Sequence, residues 1–359
     1  MVQSPLPSDT ADAPALAAHP DAATGICGVI VTYGSRSNLL QGCVERIAAF
    51  PGLRCIVIVD NGSVVPVRPS LFDCKMRLII VRLEDNKGSA QGFARGIAMA
   101  AGQSDCRFLA ILDDDNFVEP DYLPVLLDRF AQLGNSDDIV LCGFRQDRPH
   151  YADLLADGSS AERHASSFLG FHVMASVGRL RQRLAGHVAA AKLPAPTREI
   201  AAAPYGGLFV TANAVRRAGL PRTDFVIYGD DHEYAGRLIQ NGCKIHLIGD
   251  ARIEDGDESW NHAPPQGSAW ACTGPDGFRQ YYAARNHVYL DRHHGGTVVP
   301  LFYANMLLFA AKVLVDDLRF TRSIGATWRR LQPFRSGVRD GLRGQLGANT
   351  AYPLPGRAR

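Results

Sequence analysis

The sequence predicts an α/β domain built on a mainly parallel sheet covered on both faces, followed by a helical C-terminal extension. Three observations carry that expectation. Short β-branched runs alternate with helix-patterned segments from Gly25 onward, the rhythm of strand–helix–strand units. The apolar run Phe108–Leu112 is unbroken, as in a strand buried on both faces, and it stops at three consecutive carboxylates, Asp113, Asp114 and Asp115. Polar residues also close the other strands, at Thr32-Tyr33, Asp60-Asn61 and Asn86-Lys87. Ligands of open α/β sheets bind beyond the carboxyl ends of the strands, so these four sets converge on one candidate site.

Taken in order, residues 1–24 are rich in Ala, Pro, Asp and Ser. They read as a disordered tail, without the basic start or apolar stretch of a signal peptide. Cys27–Thr32 is the first strand. Leu39–Phe50 follows as a helix with Leu39, Leu40, Cys43, Val44 and Ile47 on its apolar face. Cys55–Val59 is the second strand and Arg77–Leu83 the third, before a small-residue helix that runs to Ala101. Gly88, Gly92 and Gly96 recur every fourth residue, which suits close packing of that helix on the sheet; Gly88 is also placed for backbone approach to a ligand. His150–His164 reads as a polar loop. Phe168–Ala191 reads as a helix ended by Pro194 and Pro196, lying on the sheet or forming an acceptor- or membrane-facing insertion. Ala203–Phe209 returns to strand character, with Gly206 and Gly207 allowing either a tight bend or a substrate laid against the backbone. A helix opens at Asp230, and Lys244–Ile248 is the next strand.

The composition bounds the chemistry. The 359 residues include 38 Lys+Arg against 36 Asp+Glu, a formal charge of +2, which supplies no electrostatic footprint for nucleic acid. The eight cysteines are scattered without a Cys-x-x-Cys pair, the pattern of reduced core residues in a cytosolic protein. No Gly-x-Gly-x-x-Gly follows the first strand and no Gly-Lys-Ser/Thr loop occurs, so dinucleotide and Walker-type phosphate sites are excluded. Three adjacent carboxylates repel one another unless a cation sits among them, and oxygen donors suit Mg²⁺ or Mn²⁺. Alternate residues of an extended segment face the same way, so Asp113 and Asp115 are placed to share such an ion; a solvated acidic turn is the alternative. Asp230 and Glu233 have capping-box spacing. That leaves Asp231 unexplained at the first helical position, where an outward carboxylate suits a general base.

The ordered set Val29-Ile30-Val31-Thr32-Tyr33, Val59-Asp60-Asn61-Gly62-Ser63, Asn86-Lys87-Gly88-Ser89, Leu112-Asp113-Asp114-Asp115 and Tyr228-Gly229-Asp230-Asp231-His232-Glu233 resembles family-two inverting glycosyltransferases. Within them it is most similar to the branch of rhamnosyl- and galactofuranosyltransferases of polysaccharide assembly. The resemblance spans Gly25 to about Gly296. It implies a GT-A fold, a UDP- or dTDP-sugar donor, Mn²⁺ or Mg²⁺ at Asp113 and Asp115, and Asp231 as the catalytic base. It implies that Asp60 contacts the base or ribose and that Thr32 lies near the nucleotide. Tyr33, Asn61, Asn86, Lys87, Gly88 and Asp114 complete the expected donor set. Tyr205, Gly206, Gly207 and Asp230 are assigned to the acceptor and donor sugar. Tyr281-Tyr282-Ala-Ala-Arg285-Asn286 resembles a further motif of the family. Arg285 there is expected either to grip the diphosphate in a bidentate fork or to form a structural ion pair. Relatives often have a histidine just after the Lys244–Ile248 strand. This chain has Glu254-Asp255 and, later, His262, so Asp255 is the first choice for a third metal ligand and His262 the second. Two other readings are a nucleotidyltransferase, against which Tyr33-Gly34-Ser35-Arg36 lacks the Gly-Gly-x-Gly-Thr-Arg loop, and a non-catalytic nucleotide-sugar-binding protein.

Residues 297–345 form the expected extension. Val298–Val315 is just long enough to raise the question of a bilayer span, but Pro300, Asn305 and Lys312 argue against crossing. Asn305, Lys312, Asp316 and Arg319 fall on one stripe of a helical wheel, opposite a wide apolar face from Met306 to Leu318. Six arginines follow against the single acid Asp340. The expected outcomes are packing on the catalytic domain, a homodimer face, or peripheral anchoring at the inner face of the cytoplasmic membrane near a lipid-linked glycan acceptor. Residues 346–359 are expected to form a second disordered tail.

Overall fold

The computed structural model describes residues 25–157, 165–184, 196–257, 267–272, 277–293 and 296–356. The first strand, β1 (Ile26–Thr32), is followed by α1 (Ser37–Ala48), β2 (Leu53–Asn61), β3 (Arg77–Leu83), α2 (Ser89–Ala101) and β4 (Phe108–Asp113). Next come β5 (Asn116–Val118), α3 (Tyr122–Gln132), β6 (Ile139–Arg145), α4 (Pro149–Asp157) and α5 (Val173–Leu184). The chain continues through β7 (Thr197–Ile200), β8 (Leu208–Thr211), α6 (Ala212–Ala218), α7 (Asp230–Gln240) and β9 (Lys244–Asp255). Four helices close it: α8 (Gly277–His293), α9 (Val299–Thr321), α10 (Ile324–Arg330) and α11 (Gln332–Leu342).

Among the described residues nine strands form one sheet in the order β3-β2-β1-β4-β8-β6-β9-β5, with β7 beside β9. The expected α/β architecture is present, with one correction: the sheet is mixed. β1, β2, β3 and β4 are mutually parallel, whereas β8 runs antiparallel to both β4 and β6, and β5 and β7 run antiparallel to β9. Alternation along β1 separates two cores. Cys27, Val29 and Val31 pack under α2, while Ile26 and Ile30 pack under α1 and α3. Gly92 and Gly96 serve packing, since a Cβ at either would press on Val31 or Val29.

Several local expectations change. The stretch expected as a polar loop contains α4, whose Tyr151, Leu154 and Leu155 are buried at helical spacing; residues 158–164 lie outside the described residues. The helix expected from Phe168 begins instead at Val173, because Phe168 and Phe171 exchange backbone hydrogen bonds in a tight bridge. β9 runs on to Asp255 and carries the chain into the carboxylate cluster. The N-terminal tail lies outside the described residues.

The C-terminal tail, expected to be disordered, is packed as far as the described residues reach. Tyr352 stacks on Tyr281 at 4.3 Å, and Asn349 is bonded to both Tyr281 and Tyr282 hydroxyls. These aromatic contacts supply the apolar burial that the tail's composition does not advertise. Within the extension, α11 lies against α8 at unusually close range. A Cβ at Gly337 would collide with the Tyr281 carbonyl, and one at Gly341 with the Arg285 carbonyl. Gly337→Ala and Gly341→Ala are therefore each expected to lower unfolding free energy by about 1–3 kcal/mol through helix displacement. Urea titration checks this; unchanged midpoints would mean that the two helices are not in backbone contact.

Candidate active site

The carboxyl ends of β1, β2 and β4 and the start of α7 surround the site. β4 delivers Asp113 at its last residue, and the chain turns through Asp114 and Asp115 into β5. Asn116 stabilises that turn: its Oδ1 accepts from the Asp113 amide at 3.0 Å, and its Nδ2 donates to Asp255 Oδ1 at 2.9 Å and Asp115 Oδ1 at 3.4 Å. Two arginines neutralise the cluster. Arg145, at the end of β6, bridges Asp113 at 3.3 Å and Asp255. Arg36, just before α1, reaches Asp114 at 2.9 Å, Asp115 at 2.6 Å and Asp257 at 2.6 Å. Neither arginine carries a sequence signal, because each pairing spans a long separation in the chain.

Burial dominates the titration of these acids. It raises Asp113, despite Arg145 beside it, and lifts Asp114 and Asp255 each to about 7 against the pull of Arg36 and Arg145. Carboxylate oxygens such as those of Asp113, Asp115 and Asp255 suit Mg²⁺ or Mn²⁺ in chemistry, but no three of them lie within 4.8 Å of one another, and each acid faces Arg36 or Arg145. Gly206 leaves space beside them: a Cβ there would collide with Asp113 Oδ2 and Asn116 Oδ1. His262 lies outside the described residues. The sole set of three potential metal ligands drawn within 4.8 Å of one another, among the described residues, is Cys27, Cys55 and Cys106. Those are soft thiols in the core beneath β1 and β2, distinct in chemistry from the carboxylate cluster. All eight cysteines are free, as expected.

The residues expected on the donor side separate into a lining and a support. A cavity of about 530 Å³ opens between Thr32, Ser35, Leu40, Ser63, Val67 and Arg68. Thr32 donates to Asp114 Oδ2 at 2.6 Å, and Tyr33 is 43% exposed at the rim. Asp60, expected at the base or ribose, is fully buried below the cavity. It accepts from the Ser63 and Val67 amides at 2.9 and 2.8 Å and pairs with Arg82. Burial would raise it, but the Val67 amide and Arg82 hold it below the ordinary carboxylate range. It shapes the loop and does not touch the cavity. Asn61 is likewise a latch, bonded to the Gly88 carbonyl at 3.0 Å and the Lys87 amide at 2.9 Å. Asn86 donates to the Pro355 carbonyl at 3.2 Å, and the Lys87 side chain is exposed. Gly88 (φ +86°) meets protein, not ligand: a Cβ there would strike the Val226 carbonyl.

On the opposite side stand the α7 carboxylates. The capping box is absent. Gly229, in the left-handed region, precedes the helix, and Glu233 pairs with Arg237 at 2.6 Å. Asp230 is the first helical residue and Asp231 the second. Asp230 is buried and accepts from Ser89 Oγ at 2.8 Å; burial and the neighbouring Asp231 raise it well above the ordinary range. Asp231 keeps 24% of its side chain exposed. Burial works against its ionisation, but His232, through charge and contacts at 2.8 and 3.0 Å, holds it at about 2. Tyr205 is 4% exposed, stacked on Phe93 at 4.2 Å, with a hydroxyl that has no hydrogen-bond partner among the described residues. Gly207 (φ +97°) makes the bend that delivers β8.

Arg285 does not reach a diphosphate. It is 1% exposed, lies over the Tyr282 ring at 4.7 Å, and donates to the carbonyls of Asp224, Phe225 and Gly347. Neither expected role holds, because a guanidinium walled in by aromatic rings finds its partners among carbonyls instead of phosphate or carboxylate. Asn286 adds hydrogen bonds to the carbonyls of Phe225, Ile227 and Tyr228 at 2.8, 2.9 and 2.7 Å. The pair thereby fixes the segment that leads into Asp230 and Asp231, in which Val226 and Tyr228 hold positive φ.

The raised Asp230 carboxyl makes folding pH-dependent. Below about pH 4 folded and unfolded chains both hold this proton. Above that, the unfolded chain ionises while the folded chain keeps the proton, so stability falls with rising pH until the folded carboxyl also ionises. Asp230→Asn keeps an acceptor for Ser89 and removes this ionisation. Melting temperatures from pH 4 to 8 are expected to fall less steeply for the variant than for the wild type; parallel profiles would place the pH dependence elsewhere.

The sequence profile of glycosyl transferase family 2 matches residues 28–165, the stretch that runs from within β1 past β6 and contains Asp113, Asp114 and Asp115. No curated protein matches the chain. Among solved structures, GalNAc-T7 with UDP, GalNAc and Mn²⁺ shares the fold at a TM-score of 0.50 and 15% identity, over 92% of this chain and 58% of that one. S. aureus TarS 1–349 aligns at a TM-score of 0.42 and 13% identity, over 89% and 92%. This chain thus spans little more than half of the GalNAc-T7 structure it overlays. The chain therefore has a GT-A-like α/β fold, and its N-terminal part resembles glycosyl transferase family 2.

Proposed function

We propose that the protein transfers one sugar from a nucleotide-sugar donor to a hydroxyl of a glycan acceptor with inversion at the anomeric carbon. The observation that carries this reading is Asp231: an ionised, partly exposed carboxylate at the head of α7, close enough to Asp113 for their charges to interact. Inverting transfer needs a base on the acceptor side and charge neutralisation on the leaving-group side. Asp231 and the Asp113–Asp115 cluster supply two such sides. The acceptor hydroxyl attacks the anomeric carbon as its bond to the diphosphate oxygen breaks, and Asp231 takes the hydroxyl proton. His232 occupies Asp231 Oδ1, so Oδ2 is the oxygen that receives it. The cavity beside Thr32 and Ser63 takes the nucleoside, over a floor held rigid by Asp60. Asp113, Asp115 and Asp255 are the residues that would hold Mn²⁺ or Mg²⁺, which when bound would neutralise the departing diphosphate. The ordered motifs favour the rhamnosyl- and galactofuranosyltransferase-like branch, with a UDP- or dTDP-sugar as donor.

Asp231→Asn is expected to keep donor affinity and lose on the order of 10²–10⁴ in transfer rate. Asp115→Ala is expected to lose metal-dependent nucleotide binding with the fold intact. Calorimetry with Mn²⁺ and the nucleotide, alongside transfer assays, separates the two roles. An active Asp231→Asn enzyme would sink the base assignment, and unchanged Mn²⁺-dependent affinity in Asp115→Ala would sink the metal assignment.

The extension supports a place at the cytoplasmic membrane surface. Its outer face is apolar, and the expected polar stripe is wrong in one respect. Asn305 is buried, bonded to the Ser166 carbonyl and the Val173 amide, and Asp317 is buried against Arg330. Leu307, Leu308, Leu314, Val315, Ile324 and Trp328 are exposed instead. α9 has 23 residues and contains an 18-residue stretch of mean hydropathy 1.5, enough for a span by length and composition. The Asp317–Arg330 pair and Lys312 favour lying at the interface over crossing. Flotation with anionic liposomes at low salt is expected for full-length protein and not for Leu307→Glu/Val315→Glu. Equal flotation of both, or of neither, overturns the assignment.

A further inference from the structure

An apolar groove of about 410 Å³ runs between α9 and α11, within the range of roughly 300–1,000 Å³ usual for small-molecule sites. Phe168, Met306, Phe334, Val338 and Leu342 line it, and Arg335, Arg339 and Arg343 stand on its rim. The arginines recur every fourth residue of α11 and its end, so they project from one side. Arg335 lies 3.5 Å over the Trp328 ring, and Arg339 pairs at 2.8 Å with Asp340, which also accepts from the Tyr281 hydroxyl, so among the described residues the three arginines have one carboxylate partner. Arg343 is exposed.

A ligand matched to this surface has a long apolar chain at one end and an anionic group at the other. Free phosphate would leave the apolar lining in contact with water. A second copy packed about a twofold axis would bring the arginine row against itself, like charge on like charge. Phosphate esters satisfy both halves, since guanidinium groups bind phosphate oxygens in bidentate fashion and the chain buries apolar surface at roughly 25 cal/mol per Å². We propose that the α9–α11 groove binds the lipid end of the acceptor, a long-chain phosphate or diphosphate ester. Its chain lies against Met306, Phe334 and Val338, and its phosphate on Arg339 and Arg343. This assignment rests on the glycan-transfer reading above.

Decyl phosphate below its micelle concentration is the probe, titrated into full-length protein by calorimetry, with inorganic phosphate and decanol as controls. Decyl phosphate is expected to bind at least tenfold more tightly than either control. Arg343→Gln is expected to weaken it several-fold, Arg339→Gln/Arg343→Gln more than tenfold, and Val338→Trp to block it; thermal melts establish that each variant folds. Asp231→Asn is expected to bind the probe as the wild type does while failing in transfer, which separates this site from the catalytic assignment. In transfer assays Arg343→Gln is expected to raise KM for a chain-bearing acceptor and leave a chainless acceptor unaffected. Equal affinity for decyl phosphate and inorganic phosphate, unchanged binding in the folded arginine variants, or a dimer that excludes the probe would overturn the groove assignment. Absence of sugar transfer with intact probe binding would instead overturn the enzymatic reading.

Discussion

Carboxylate crowding at the end of β4 is the constraint around which the site is arranged. Asp113, Asp114, Asp115 and Asp255 gather where three strands and a turn converge, and unrelieved repulsion there would open the sheet end. Arg145 and Arg36 relieve it from opposite sides, the first from β6 and the second from the start of α1. Arg145 is itself 5% exposed, and a guanidinium so deeply placed is tolerable only with carboxylates against it. Charge and countercharge are therefore mutually dependent: neither group of side chains would be stable at this depth without the other. Asn116 sets the spacing, since its amide touches the Asp113 backbone and two of the acids at once.

A second arrangement acts on the opposite wall. The segment from Asp224 to Gly229 carries positive φ at Val226, Tyr228 and Gly229, a conformation disfavoured for the two non-glycine residues. Arg285 and Asn286 collect its carbonyls, and the Ala90 amide donates to the Val226 carbonyl at 3.1 Å. Strain in the loop is thus offset by hydrogen bonds from α8 and α2, and Asp230 and Asp231 emerge from a fixed point. The different titration of those two neighbours follows from position: one is closed in beside Ser89, the other is open and paired with a histidine.

Much of this was legible in the chain. Strand and helix periods located β1 to β4 and α2, and the three consecutive acids after Leu112 marked where β4 ends, because local patterning and sheet geometry act over a few residues. The partners of the acids were not legible, since Arg36 and Arg145 meet them only through the fold. Arg285 misled because a phosphate-gripping arginine and one satisfied by carbonyls look alike in sequence. α9 misled for a related reason: periodicity assigns polar residues to solvent, whereas Asn305 and Asp317 turn inward to cap neighbouring backbone and pair with Arg330. α4 did carry a signal, the spacing of Tyr151, Leu154 and Leu155, masked by the polar residues between them.

The packed tail bears on how the molecule is born. Gly347 contributes a carbonyl to Arg285 and an amide to the Asp224 carbonyl, and the Pro355 carbonyl accepts from Asn86. These residues are translated after every other part of the described structure. While they remain in the ribosomal tunnel, Arg285 lacks the Gly347 carbonyl, and the loop before Asp231 lacks part of its tether. The wall that carries Asp230 and Asp231 is therefore fully tethered only once this segment has emerged.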